Sequence, residues 1–367
     1  MITGFLFSGR LALQQRVLPS YRVPFFDMLG TACDRGLSLF AGLPRAEEEI
    51  VNGKLKNADF AAAKNIHIFH DPFYLCYQRG LIQWLERWNP DALIVEANPR
   101  YLSTPSAVRW MHTRGRKVIG WGLGVPPLSG AFNGLRQRRR VQFLNQFDAL
   151  ICYSRRGAGE YAALGFPREK IFVAPNAVSA RPLFPIPLRP STFMGKPVIL
   201  FVGRLQARKR VDDLLCACAE IDLKPRLIIV GDGAEREHLE MLAKQVYPSA
   251  EFIGAKHGAE LKAYFMEADL FVLPGTGGLA VQEAMSHGLP IIVARGDGTQ
   301  DDLVRESNGW QIPPDDPNAL LRAIRTALSD VARLRRMGAE SYRIVSEEIN
   351  LEKMVETFIR ALNSLAS

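Results

Sequence analysis

The sequence predicts an α/β protein made of two doubly wound domains in tandem, and three observations predict it. Short apolar runs alternate with helix-period stretches along most of the chain, the pattern of parallel strands covered by helices on both faces. A single proline-rich break interrupts that rhythm at residues 181–197, which hold five prolines and suit neither a helix nor a central strand. The length, 367 residues, fits two cores of about 150–200 residues better than one.

Taken in order, strands are expected at 11–15, 66–69, 92–95, 118–121, 149–153 and 171–174 before the break. After it they are expected at 198–202, 227–230, 251–253, 270–273 and 290–294. Helical periods fall at 78–88, 103–114, 154–164, 234–246 and 279–287, and the end of the chain reads as two helices, 318–337 and 340–363. The expected division is a first domain over 1–180, a linker over 181–197, a second domain over 198–340 and a C-terminal helical segment over 341–367.

Composition narrows the class. A hydrophobic fraction of 47% with 23% charged residues is that of a globular protein. No apolar run approaches the roughly 20 residues that cross a bilayer. Residues 1–9 lack the basic flank and cleavage site of a secretory signal, so the expected location is the cytoplasm. Five cysteines without Cys-x-x-Cys spacing read as small buried apolar residues, not as a disulfide or zinc framework. Residues 1–185 carry 24 Lys and Arg against 13 Asp and Glu, while the remainder carries 22 against 25. The positive half is the one expected to meet an anionic partner.

Three segments carry chemistry. In Phe201-Val-Gly-Arg-Leu-Gln-Ala-Arg-Lys-Arg210, a strand exits through Gly203 into a turn bearing Arg204 and Lys209, which suit a diphosphate next to a helix start. One cation 4 Å from a phosphate charge is worth about 4 kcal/mol at an effective dielectric of 20. Arg208 and Arg210 read as solvated. Val230-Gly-Asp-Gly233 is a glycine turn that places the Gly231 backbone at the ligand end of the sheet. In Leu273-Pro-Gly-Thr-Gly-Gly-Leu-Ala-Val-Gln-Glu-Ala-Met, Gly277 and Gly278 leave backbone bare for phosphate oxygens, and Glu283 stands one helical turn on, where a carboxylate can hold ribose hydroxyls.

These three segments, in this order, resemble the family-4 glycosyltransferases of GT-B architecture. The resemblance is specific over 198–312 and rests only on rhythm in the first half. It implies two Rossmann-like domains facing across a cleft, a C-terminal helix returning toward the first domain, and transfer of a sugar from a UDP- or GDP-sugar to a hydroxyl with retention. It assigns the donor diphosphate to Arg204 and Lys209, the ribose to Glu283, the distal phosphate and sugar to the backbone of Gly278, Leu279 and Ala280, and the base to Ile253 and Lys256. Two positions depart from the family. Gly275 stands where the family has a first Glu that touches the donor sugar, and Gly120-Trp-Gly-Leu-Gly124 has no histidine after the fifth strand. No Asp-x-Asp occurs, and with Arg204 and Lys209 to stabilise the leaving group neither metal nor cofactor is expected.

Acceptor contacts are expected at strand ends of the first half. Arg16, Ser20, Tyr21 and Arg22 lie in the turn after the first strand, and Glu96, Asn98 and Arg100 lie after a later one. Glu96 is a candidate general base or sugar-hydroxyl anchor, with helix capping or a salt bridge as the alternative. His67, His70 and His112 carry no assigned role. Arg136, Arg138, Arg139 and Arg140, interleaved with Phe132, Leu135, Val141, Phe143 and Leu144 and beside the apolar loop 125–128, form a candidate peripheral contact with anionic lipid at the inner face of the cytoplasmic membrane. No aromatic stacking set accompanies the charge, which argues against nucleic acid. The expected acceptor is a saccharide or lipid-linked saccharide of envelope or exopolysaccharide assembly. Two other readings stay open: a nucleotide-sugar epimerase of the same fold, and a degenerate nucleotide-binding protein without turnover.

Overall fold

In the computed structural model, which describes residues 6–45, 48, 50–70, 73–125, 133–296 and 298–365, the chain forms two compact units. One comprises residues 1–178 and 351–367, the other residues 179–350.

The first unit contains β1 (Leu11–Val17), α1 (Val23–Thr31), β2 (Leu37–Gly42), β3 (Asp59–Ala62), β4 (Lys64–Ile68) and β5 (Leu75–Arg79). It continues through α2 (Leu81–Trp88), β6 (Ala92–Glu96), α3 (Thr104–His112), β7 (Lys117–Gly122), α4 (Asn133–Leu144), β8 (Ala149–Cys152), α5 (Arg155–Ala163) and β9 (Ile171–Val173). Seven strands form one parallel sheet in the order β3-β2-β1-β6-β7-β8-β9. The order reverses between β1 and β6, and at such a switch point the loops after the strands part to leave a crevice.

The second unit contains β10 (Val198–Val202), α6 (Val211–Ala219), β11 (Arg226–Val230), α7 (Arg236–Val246), β12 (Glu251–Gly254), α8 (Gly258–Glu267) and β13 (Leu270–Leu273). It ends with α9 (Ala280–Ser286), β14 (Ile291–Ala294), β15 (Gly309–Ile312), α10 (Pro317–Leu328) and α11 (Val331–Glu347). Its parallel sheet runs β12-β11-β10-β13-β14-β15 and switches between β10 and β13. Its central strands are fully buried runs such as Ile199-Leu-Phe201 and Leu270-Phe-Val272, as a sheet covered on both faces requires.

Several elements differ from the sequence reading. Residues 66–69 do not enter the main sheet: β4 pairs antiparallel with β5 in a separate hairpin, and the helix expected from Gln78 begins at Leu81, after Gly80 turns the chain at φ +94°. Strands β2, β3 and β15 were not anticipated; β2, Leu-Ser-Leu-Phe-Ala-Gly, is buried at every position yet has no β-branched residue to mark it. At the end of the chain the breaks fall at 329–330 and 348–350, not near 338. Asp330 accepts the Arg333 amide at 2.8 Å and so starts α11. Gly338, which falls between the two expected helices, lies inside α11, where a Cβ would come within 3.1 Å of the Gly288 carbonyl carbon.

The final helix, α12 (Leu351–Asn363), packs on the first unit. Phe358 is fully buried and meets Phe25 and Trp121 edge-on, each at 4.9 Å between ring centroids. Residues 181–197 lie against the second unit, held by side chains. The Arg189 guanidinium donates to the carbonyls of Phe265, Ala268 and His287 at 2.9, 2.9 and 2.7 Å. Arg335 Nε donates to Pro190 O at 2.8 Å, and the Tyr342 hydroxyl donates to Phe184 O. Cys33, Cys76, Cys152 and Cys218 are buried and Cys216 is exposed. Among the described residues no helix is long and apolar enough to cross a membrane.

Candidate functional site

In the second unit the loops after β10, β11 and β13 are knitted together at the switch point. Gly203 N donates to Val230 O at 3.0 Å, Leu205 N to Asp232 O at 2.9 Å, and Gly231 N to Gly254 O at 2.9 Å. Gly231 (φ +150°) and Gly233 (φ +157°) lie where the post-β10 loop crosses; a Cβ on either would come within 2.9 Å of the Gly203 or Leu205 carbonyl carbon. The Val230-Gly-Asp-Gly233 turn is therefore glycine for packing and for a left-handed backbone.

On the other side of the switch point, Thr276 N donates to Arg208 O at 3.0 Å. Lys209 is buried, and its ammonium donates to Thr276 O at 2.7 Å and Gly277 O at 3.0 Å. Burial, with Arg208 and Arg204 nearby, pulls its pKa down to about 8. Gly277 has φ +68°, and the nearest neighbours of a Cβ there would be the Arg208 guanidinium at 3.5 Å and the Lys209 ammonium at 3.7 Å. Two cations thus converge on a bare stretch of backbone. Arg208, read from the sequence as solvated, belongs to this cluster; its direction depends on the loop crossing, which charge alone does not reveal. Arg210 is not simply solvated either: at φ +54° it pairs with Asp213 at 2.8 Å. The expected contribution from the helix start is corrected too, because Asp212 and Asp213 in the first turn of α6 already face its positive end.

Leu279 and Ala280 lead into α9, with Leu279 43% exposed. Glu283 is half-buried on α9, and burial pushes its carboxyl up, opposed by the His257 imidazole. Ile253 is half-buried at the end of β12, and Lys256 pairs with Glu260 at 3.5 Å. Gly275 has a steric explanation: a Cβ there would lie 2.5 Å from Lys209 Cα and closer still to the Arg208 carbonyl oxygen. A glutamate cannot occupy that position while the two loops cross as they do.

In the first unit the switch point carries a carboxylate. Glu96 ends β6, and its Oε2 accepts the Arg16 amide from the end of β1 at 2.7 Å. Burial pushes its pKa up to about 7, against the Arg16 amide and charge and the Tyr101 hydroxyl. The Arg16 guanidinium is engaged by Glu48 at 2.9 Å. Against the penalty of burial, hydrogen bonds from Arg16 and the Arg45 amide hold Glu48 below its usual range. Glu96, Asn98 and Arg100 line a cavity of about 500 Å³, with Trp121, Tyr153 and Arg140 in its wall. The buried Trp121 indole N–H has no acceptor in the protein.

The other first-half residues separate. Ser20 and Tyr21 are exposed and do not line this cavity. Arg22 is not presented as expected: it is 6% exposed, donates to Asn176 Oδ1 and to Ala177 O, and lies over the Trp121 and Tyr153 rings at 5.6 and 5.4 Å. Of the α4 arginines, Arg136, Arg138 and Arg139 are exposed and Arg140 reaches the cavity, where burial and Arg136 lower its pKa. The apolar Phe143 and Leu144 are buried, so α4 offers lipid charge and Leu135 but no apolar face. Phe132 and residues 126–128 lie outside the described residues. His67 pairs with the Tyr74 hydroxyl at 2.9 Å, His70 is exposed, and His112 pairs with Asp148 at 3.1 Å. In the segment that lacks the family's histidine, Gly122 closes on the Tyr161 hydroxyl and Trp121 fills the core.

Two doubly wound parallel-sheet units, the second with cations and bare glycine backbone at its switch point, define the GT-B class. The chain belongs to the family-4 type of GT-B glycosyltransferases. Residues 42–181 match the family model described as Glycosyltransferase Family 4, and residues 189–344 match Glycosyl transferases group 1. The GDP-mannose-dependent alpha-mannosyltransferase of Mycolicibacterium smegmatis is 38% identical over 154 residues, 41% of this chain and 39% of that protein. The match thus spans well under half of that relative's length. The lipopolysaccharide core biosynthesis glycosyltransferase LpsE of Rhizobium meliloti is 23% identical over 65% of this chain and 72% of its own. Among solved structures, Anabaena HepE in complex with UDP matches with a TM-score of 0.69 at 16% identity, covering 97% of this chain and 99% of that one. Sucrose-phosphate synthase from Thermosynechococcus elongatus gives 0.68 at 20% identity, covering 98% and 100%. At these identities the likeness is one of fold.

Proposed function

We propose that this protein transfers a glycosyl group from a UDP- or GDP-sugar to a hydroxyl acceptor, with retention and without a metal ion. The observation that carries this is the convergence of Lys209 and Arg208 on the Gly277 backbone, on the same post-β13 segment that leads to Glu283. A relative named for GDP-mannose and a neighbour solved with UDP fit a nucleotide-sugar donor.

In this reading the second unit holds the donor. Lys209, Arg204 and Arg208 stabilise the departing diphosphate, and Glu283 holds the ribose. The first unit holds the acceptor, a saccharide or lipid-linked saccharide of envelope or exopolysaccharide assembly. The bond from the anomeric carbon to the distal phosphate oxygen breaks, the acceptor oxygen bonds that carbon on the face from which the phosphate leaves, as retention requires, and the hydroxyl proton passes to Glu96, whose pKa near 7 suits the task. The enzyme works at the cytoplasmic side of the membrane.

The test is a panel of UDP, GDP, ADP and their sugars read by thermal shift and then by transfer. Stabilisation of about 2.7 kcal/mol is expected at 100 times the dissociation constant. No stabilisation by any of them overturns the reading, as does unchanged turnover in Lys209→Ala. Loss of turnover in chelator overturns metal independence. Gly275 favours one second reading, nucleotide binding without transfer; saturable binding with neither transfer nor donor hydrolysis would select it. Donor converted without acceptor would select an epimerase.

A further inference from the structure

The β4–β5 hairpin has two unlike faces. Cross-strand partners alternate, so Asn65/Gln78 and His67/Cys76 share one face and Ile66/Tyr77 and Ile68/Leu75 the other. The first face is fastened to the unit. Gln78 pairs with Gln14 and donates to Gln15 O at 3.0 Å, and Cys76 is fully buried. The second face is uncovered at its middle pair, while Ile68 and Leu75 are half-buried. Ile66 is 40% and Tyr77 43% exposed, and beyond the strand ends Phe69 and Phe73 are 66% and 76% exposed. Lys64 and Arg79, paired across the base of the same face, are both exposed.

Two further observations point to an occupant. This apolar strip with basic residues at its base belongs to the half of the chain with an excess of 24 Lys and Arg over 13 Asp and Glu. The hairpin is also continuous with the rim of the Glu96 cavity: Cys76 N donates to Arg100 O and Leu102 N to Cys76 O, both at 2.9 Å, and the adjoining Leu102 is 44% exposed. We propose that this hairpin face docks on an anionic phospholipid surface, its aromatic tip at the acyl boundary and Lys64 and Arg79 at the headgroups. Exposed aromatic residues settle at that boundary, and juxtamembrane basic residues are drawn to anionic headgroups. Docked in this way, the hairpin holds the cavity rim at the surface from which a lipid-linked acceptor would be presented, a consequence that rests on the acceptor reading above.

The test uses the full chain and flotation with phosphatidylcholine vesicles, with and without about one-third phosphatidylglycerol. The wild type is expected to float with the anionic vesicles. Phe69→Ser with Phe73→Ser is expected to lower partition at least tenfold, and Ile66→Thr with Tyr77→Thr to act alike while keeping strand-forming residues. Thermal shift by nucleotide is measured on each variant. Retained shifts with lost flotation support the docking surface, whatever the transfer assay gives. No flotation of the wild type, or equal flotation of the variants, overturns it. A dimeric wild type made monomeric by the tip substitutions, without vesicle binding, also overturns it in favour of a second copy of the chain.

Discussion

The two switch points are built on the same sheet geometry and filled in opposite ways. At the one between β10 and β13, backbone crosses backbone, glycines at 231, 233 and 275 permit the crossing, and what remains is cationic. At the one between β1 and β6, the Glu96 carboxylate, its pKa near 7, takes the Arg16 amide, and beside it the loops after β6, β7 and β8 line an open cavity of about 500 Å³. The first arrangement suits a ligand of fixed shape and charge such as a diphosphate. The second suits a neutral ligand that must lose a proton. A rigid backbone cradle tolerates almost no substitution, whereas a side-chain cavity can change its contents without losing its shape.

Four experiments test that contrast, from the largest expected effect down. Glu96→Gln should lower kcat/KM for the acceptor by about a thousandfold while leaving nucleotide binding intact. It should also stabilise the protein at pH 8. The folded-state pKa of Glu96 lies above its unfolded value, so stability falls as pH rises from about 4.5 to about 7 and stays low above that. The neutral amide removes that cost, on the order of 3 kcal/mol in chemical denaturation. Gly275→Glu, which restores the family residue, should lose about 3 kcal/mol and gain no activity, since the side chain has to displace the Arg208–Lys209 backbone. A well-folded, more active variant would show that the crossing is not rigid.

Lys209→Ala should weaken nucleoside diphosphate binding about a hundredfold by calorimetry. The smallest effect is a pH slope. Lys209 loses its charge as pH rises through about 8, so affinity should decline by up to tenfold per unit above that. Lys209→Arg should bind without the slope, because a guanidinium stays charged.

The same contrast explains what the sequence made legible. The second unit was readable because its chemistry lies in short contiguous segments: strand, glycine, cation, then strand, glycines, carboxylate. Lys209 stands out in such a segment, and the structure sets its ammonium on the Thr276 and Gly277 carbonyls. Arg208 does not stand out, because its role depends on where the post-β13 loop crosses. Gly275 looked like a missing sugar contact, and the steric reason for it lies 66 residues upstream in Arg208–Lys209. In the first unit, Glu96 was singled out by its place at a strand end, but the residues that set its pKa come from β1 and the loop after β6. Arg22 looked like a surface cation because sequence does not show the rings that enclose it. The hairpin was missed because Leu75-Cys-Tyr-Gln-Arg79 has no alternation strong enough to separate a strand from the following helix.

The final helix sets an order on biosynthesis. Residues 179–350 form a unit in themselves, whereas the first unit lacks its α12, and with it Phe358 against Phe25 and Trp121, until residues 351–363 are made. The half synthesised first waits with part of its aromatic core uncovered. A chain cut after residue 350 would keep all of the second unit and leave Phe25 and Trp121 without Phe358, so the first unit would expose part of its aromatic core.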